Sequence, residues 1–245
     1  MVGVSNSVRA VWSNRVIQVG RAVALLLRER EFWGLVVASI VLVVLAYQVP
    51  FDFALDLGSP FATPLDEPFL VHFYPAEHGT IGTYRWTRKR SAIVLNGVGT
   101  GTPLRLKIRA LTLRPEDAPP ANTRVLLEGK PLAKFKQPSD WKDYVIVIPA
   151  DRNPDRLEIE LKTVPFQQEG GARNLGIVIS RIQIAQAGVW TPTMPSPRQV
   201  ILFVLMAIGL YVSLRRLGFA ARGTFWIGLV VLLGASALVA FARPF

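Results

Sequence analysis

The 245-residue chain has no cysteine, two histidines and three methionines. Without thiols there is no disulfide framework, no cysteine nucleophile, no thiolate zinc site and no iron–sulfur ligation. A domain of this chain outside the cytoplasm must therefore rest on its apolar core. Hydrolase and nucleotide signatures are missing too. No Gly-x-Ser-x-Gly elbow occurs, and the glycine-rich segment from Asn96 to Gly101 lacks the Lys-Ser/Thr ending and following helix of a phosphate loop, so it reads as a hairpin or bulge. His72 and His78 do not form a His-x-x-x-His pair, and Glu77, adjacent to His78, points to the opposite side of a strand. No metal site and no cofactor is expected. There is no internal repeat and no low-complexity tract.

What the chain does contain is three long uncharged stretches, Phe32 to Val49, Gln199 to Leu214 and Gly223 to Ala242. A bilayer needs about 20 mostly apolar residues per helical span. The first and third qualify outright, and the second, being shorter, needs help from Arg198 snorkelling to headgroups and Trp190 in an interfacial belt. Small residues inside them, Gly209, Gly228 and Gly234 to Ala237, permit close helix packing.

The net charge of +11 lies at the ends of these stretches. Residues 51–190 hold 18 Lys+Arg and 15 Asp+Glu, a net of +3, while the rest holds 10 and 2, a net of +8. That distribution favours orientation signals and anionic lipid over a nucleic-acid groove, and no nucleic-acid partner is expected. Arg9, Arg15, Arg21, Arg28 and Arg30 precede the first stretch, and Arg215, Arg216 and Arg222 lie between the second and third. By the excess of basic residues on cytoplasmic segments, both of these face the cytoplasm. The expected organisation is a cytoplasmic basic segment over 1–31, containing an amphipathic surface helix near 8–27, and transmembrane helices over 32–49, 199–214 and 223–242. The cytoplasmic loop covers 215–222, and an extracytoplasmic domain covers 50–190. The expected location is a bacterial inner membrane, crossed several times, the first span acting as an uncleaved anchor.

The intervening residues alternate. Leu104, Leu106, Ile108 and Ala110 interleave with Arg105, Lys107 and Arg109, and Leu157, Ile159 and Leu161 interleave with Glu158, Glu160 and Lys162. This period of two marks strands with one face buried. Further strands are expected at 92–95, 124–128, 144–148 and 176–184, separated by turn signals such as Glu128-Gly129 and Asn96-Gly97. Residues 50–80, rich in Pro, Gly and Asp, read as a linker. No helix of crossover length separates the strands, so the fold class is a membrane protein of α + β type, with an antiparallel, jelly-roll-like β-sandwich inserted between transmembrane helices. The Arg105/Lys107/Arg109 and Glu158/Glu160 faces read as solvated and cross-paired between neighbouring strands.

Two groups of side chains can carry chemistry. Asp56, Asp66, Glu67, His72, Glu77 and His78 follow the first span, where a carboxylate could meet a lipid-linked substrate or simply make a linker polar. Trp86, Trp141, Tyr144 and Tyr84, with Arg85 and Arg173, have the composition of a sugar platform: aromatic faces stack on carbohydrate rings while arginines bond hydroxyls. Aromatics also fill sandwich cores, and that reading stays open.

Asp66 within Leu65-Asp66-Glu67-Pro68-Phe69-Leu70, Glu77 ahead of Tyr84-Arg85-Trp86-Thr87, and the segment Arg173 to Ile177 together resemble the early region of bacterial polytopic membrane proteins of the GT-C glycosyltransferase type. The resemblance implies an extracytoplasmic jelly roll after the first span and a lipid-linked sugar donor. It implies a catalytic carboxylate at Asp66, Glu77 or Asp56. Such enzymes build their lipid-substrate cavity from many more than three spans. The expectation is therefore a non-catalytic, membrane-anchored accessory or scaffolding protein that presents its β-sandwich to a membrane partner or a surface glycan. The alternatives are a split transferase module acting on a lipid-linked sugar, and a structural subunit of an energy-transducing complex.

Overall fold

The computed structural model describes residues 24–59, 65–115, 118, 120, 122–136, 139–167, 173–188 and 191–243. The surface helix expected near 8–27 falls mostly outside these residues, and the belt position of Trp190 falls wholly outside them. The chain forms two compact units, a helical one and a β one.

The helical unit contains α1 (Arg30–Tyr47), α2 (Pro197–Arg216) and α3 (Ala221–Ala242), each long and apolar enough to cross a membrane. The second is 20 residues long, so its charged ends supply the length that its uncharged centre lacks. The helices meet through small and aromatic residues. Gly228 of α3 receives Leu35 of α1, whose Cδ2 would lie 2.7 Å from a Cβ there. Phe32 packs edge-on against Tyr211 at 5.5 Å between ring centroids. At one end of this unit Arg215 pairs with Glu29 at 2.7 Å, and the Tyr211 hydroxyl bonds the same carboxylate.

The β unit is an antiparallel sandwich. In chain order its strands are β1 (Asp52–Asp56), β2 (Leu70–Gly79), β3 (Gly82–Leu95), β4 (Leu104–Leu111), β5 (Asn122–Leu127), β6 (Lys130–Lys136), β7 (Lys142–Ile148), β8 (Leu157–Thr163), β9 (Phe166–Gln167), β10 (Asn174–Leu175) and β11 (Val178–Gln186). One layer runs β2-β3-β8-β5-β6 and the other β1-β11-β4-β7, while β9 and β10 form a small separate pair. The layers are joined because β3 is 14 residues long. Its second half pairs with β8 from Arg90 to Leu95, and earlier Arg85 and Trp86 pair with Ile179 and Val178 of β11. The alternating sequence dictates which face turns inward: Leu104, Leu106 and Ile108 from one layer and Leu157, Ile159 and Leu161 from the other are all at most 2% exposed. Each such side chain contributes roughly 1.5–3 kcal/mol by leaving water.

Residues 50–80 are not a linker. They carry β1, registered on β11 from Asp52 to Asp56, and β2, the edge partner of β3. Phe51, Phe53, Leu55 and Leu57 alternate with Asp52, Ala54 and Asp56 and enter the core. β2 hides its periodicity behind two register shifts, the first at His72, which adopts φ 59°. The expected pairing between the basic face of β4 and the acidic face of β8 does not occur, because the two strands belong to opposite layers. Lys107 meets Asp143 of β7 at 2.9 Å instead, and Glu160 meets Arg90 of β3 at 3.5 Å. The Asn96–Gly101 segment is an open β3–β4 connection in which Thr100 bridges Met194, not a hairpin.

Gly176 passes so close to β3 that a Cβ there would lie 2.3 Å from Thr87 Oγ1 and 2.9 Å from the Thr87 carbonyl. Around it the Gly176 N–H donates to the Thr87 carbonyl, the Thr87 N–H to the Ile177 carbonyl, and the Ile177 N–H to Thr87 Oγ1, all within 2.8–2.9 Å. Gly176→Ala should therefore destabilise the β unit by about 1–3 kcal/mol, read as a lowered midpoint in thermal unfolding followed by tryptophan fluorescence; an unchanged midpoint would show that this crossing is loose.

Candidate functional site

β3 organises the polar chemistry of the sandwich, because its alternation sends Arg85 to one side and Tyr84 and Trp86 to the other. Arg85 is 8% exposed and Asp66 4%. The guanidinium binds the carboxylate through both of its arms, Nε to Oδ2 at 2.7 Å and Nη2 to Oδ1 at 2.9 Å. Its remaining donors reach the Tyr74 carbonyl and Glu67, each at 3.3 Å. Burial alone would lower the Arg85 pKa, but Asp66 and then Glu67 outweigh it and hold the guanidinium above its ordinary value. The Gly58 N–H completes the arrangement by donating to Asp66 Oδ2 at 2.8 Å. That turn requires glycine: φ is +81°, and a Cβ would lie 2.9 Å from the Tyr84 carbonyl.

On the other side of β3 lies a cleft of about 520 Å³. Its floor is a small apolar cluster in which Trp86 meets Tyr84 edge-on at 6.5 Å and Phe166 at 6.0 Å. Glu77 of β2 stands in its wall and is held from several directions. Trp86 Nε1 donates to one carboxylate oxygen at 3.2 Å and Arg173 to the other at 2.8 Å. The Tyr84 hydroxyl also bonds Glu77; burial first, then this carboxylate, raises the Tyr84 pKa above its ordinary value. Arg114, its pKa lowered by burial, lies 5.0 Å over the Phe166 ring and donates to the carbonyls of Val164 and, at 3.4 Å, Gly176. The opening of the cleft is thus bounded by fixed donors and one fixed carboxylate over aromatic rings. A shallower hollow of about 320 Å³ lies between Asp56, Arg109, Trp141 and Arg181. There Arg181 pairs with Asp56 at 2.5 Å, and Arg109 sits 5.7 Å over Trp141.

The structure divides the two groups drawn from the sequence. Asp56, Asp66 and Glu77 sit in three separate ion pairs, with Arg181, Arg85 and Arg173. Asp66 is committed to a buried bidentate pair with Arg85. His72, at its strand bulge, and His78 do not gather around Glu77; among the described residues no three metal-ligating side chains converge. Of the aromatic platform, Trp86 and Arg173 line the cleft beside Glu77. Trp141 belongs to the second hollow. Tyr144 stacks on Phe135 at 4.0 Å and donates to the Lys136 carbonyl, away from both. Arg85 is the buried strut. Arg114 and Phe166 escaped notice because they reach the cleft from connections remote in sequence from β3; the alternation ending at Leu111 marked only where a strand stopped.

The chain matches no protein-family model and no curated protein. Solved structures similar to it include the C-terminal family 6 carbohydrate-binding module of a marine laminarinase from Zobellia galactanivorans, at 11% identity over 55% of this chain and 99% of that one, with a TM-score of 0.34. A family 35 carbohydrate-binding module from Clostridium thermocellum has 10% identity, coverage of 54% and 98%, and a TM-score of 0.37. The family 36 module of a xylanase from the hindgut metagenome of Trinervitermes trinervoides has 14% identity, coverage of 57% and 100%, and a TM-score of 0.35. Likenesses this distant carry no weight for function, which must come from the cleft itself.

Removing one partner of a buried ion pair leaves an uncompensated charge, so Asp66→Ala should cost about 3–5 kcal/mol, measured by denaturant unfolding of the full chain; a loss below about 1 kcal/mol would contradict the burial of the pair. A second expectation concerns pH. The raised Tyr84 pKa means that the folded state favours the neutral phenol, so this contribution is complete below the ordinary tyrosine range and is lost as pH rises through the higher folded value. Tyr84→Phe should flatten the alkaline limb of the stability profile, and an identical limb in the variant would show that Tyr84 does not produce it.

Proposed function

We propose that this chain is a non-catalytic, membrane-anchored binding module whose β-sandwich takes a glycan into the Glu77–Trp86–Arg173 cleft. The observation carrying this reading is the pairing of aromatic faces with a carboxylate and arginines that are already held in place. Sugar rings present both apolar C–H faces and directional hydroxyls, and such a cleft answers both without ordering its side chains on binding. The fixed carboxylate accepts from hydroxyls and the arginines donate to ring and hydroxyl oxygens. Three helices of spanning length supply the anchor. Their arginine-rich flanks support an extracytoplasmic β unit, where surface glycans or the glycans of a membrane partner would be met.

The reading is tested by applying the full chain, in neutral detergent, to an array of oligosaccharides. A subset should be retained, and retention should fall at least about tenfold in Glu77→Gln and Arg173→Ala, each removing one or two charge-assisted bonds, with thermal midpoints showing that both variants fold. Retention of nothing by the native chain, or equal retention by the folded variants, would overturn it. Orientation has its own test, made clean by the absence of native cysteine. A membrane-impermeant maleimide should label Ser139→Cys from outside intact cells and Leu217→Cys only after permeabilisation; the reverse pattern would place the sandwich in the cytoplasm.

A further inference from the structure

The outer faces of the two layers manage charge in opposite ways. Across the β1-β11-β4-β7 layer, the cross-strand row Asp56, Arg181, Arg109, Asp143 places an acid at each end of two arginines. Across the β3-β8-β5-β6 layer, the row Arg90, Lys162, Arg124, Lys134 is entirely cationic, each residue directly opposite the next in register. Like charges in such positions repel and destabilise a sheet. Lys136, two residues beyond Lys134 on the same face of β6, stands in the adjacent row opposite Asn122. Arg124, Lys134 and Lys136 are exposed. Among the described residues, the carboxylate in ion-pair reach of the row is Glu160, 3.5 Å from Arg90, which leaves Lys162, Arg124 and Lys134 without an acidic partner.

We propose that this row is a second binding surface, separate from the cleft, and that its partner is a linear acidic polysaccharide lying across the strands. With strands about 4.8 Å apart, four cations span roughly 14 Å in a line, with Lys136 beside its β6 end. In one direction along the strands the row gives way at once to Ala92, Glu160 and Leu126 and then to Val94 and Glu158, and in the other to Asn122 and Lys136. A narrow line of charge bordered by acids along one side matches a single polyanionic chain; an anionic bilayer rewards a broad basic patch and would be repelled by Glu158 and Glu160. No aromatic side chain interleaves the row, so the stacking platform of a single-stranded nucleic-acid site is missing. The repulsion within the row is then relieved by the ligand, and binding is electrostatic and strongly dependent on salt.

The test uses the full chain in phosphatidylcholine nanodiscs with polygalacturonate, one carboxylate per sugar, as the probe and uncharged dextran as the comparison polymer. Polygalacturonate should bind and dextran should not. The triple variant Lys162→Gln/Arg124→Gln/Lys134→Gln should bind about tenfold more weakly with a flatter salt dependence, while its thermal midpoint stays level or rises because like charges have been removed. Arg105→Gln/Lys107→Gln, which neutralises cations on the opposite layer, should leave affinity within about twofold. If the triple variant fails to fold, Lys134→Gln alone, near the edge, should still weaken binding by about twofold to threefold. Equal binding by wild type and triple variant, an equal loss in the opposite-layer variant, or preferential binding to phosphatidylglycerol vesicles through the same residues would each overturn the proposal. The triple variant should retain neutral oligosaccharides as the native chain does, so failure of the cleft reading and failure of this one are told apart.

Discussion

A guanidinium and a carboxylate buried face to face fix the part of the sandwich on which everything else depends. Arg85 sits on β3 between Tyr84 and Trp86, so anchoring it to Asp66 holds the strand where its other side becomes the floor of the cleft. Removing both charges from water is costly, and such pairs add little net stability; what they specify is geometry. Here the same pair recruits the Gly58 turn and the Tyr74 carbonyl, tying the approach to β2 and β2 itself onto β3. The absence of cysteine makes this meaningful, since no covalent cross-link holds these segments.

The cleft repeats the logic one residue over. Glu77 is a fixed acceptor, bonded by Trp86, Tyr84 and Arg173. A group so restrained suits recognition, where preorganisation replaces the entropy of ordering side chains with geometry set at folding. The two outer faces extend the contrast between satisfied and unsatisfied charge. One row closes its two arginines between acids, and the other leaves a line of cations open. The chain thus spends its polar residues as struts, as fixed recognition groups and as an uncompensated surface.

Much of this was legible in the residues. The strict alternations at 104–110 and 157–162 named β4 and β8, and the uncharged stretches named all three long helices, because both patterns follow from one simple periodicity or from its absence. β1 was obscured by the Pro, Gly and Asp around it, although Phe51, Phe53, Leu55 and Leu57 carried a period of two. β2 is an edge strand broken by register shifts, so no alternation survived to be seen. Of the residues grouped by composition, Trp86 and Arg173 line the cleft. Trp141, Tyr144 and Arg85 were grouped with them on composition alone, which cannot tell the two sides of a strand apart or show which layer a strand joins. The all-cation row depended on register between β3, β8, β5 and β6, a non-local property that a single strand's sequence does not contain.

The central claim, that the Glu77–Trp86–Arg173 cleft is a glycan site, is tested most directly by hydrogen–deuterium exchange on the full chain with and without an oligosaccharide that it retains. The account predicts slowed exchange in segments 74–86, 112–115 and 173–176, with the β5–β6 hairpin unchanged by a neutral sugar. Protection confined to other segments, with these three unaltered, would contradict it.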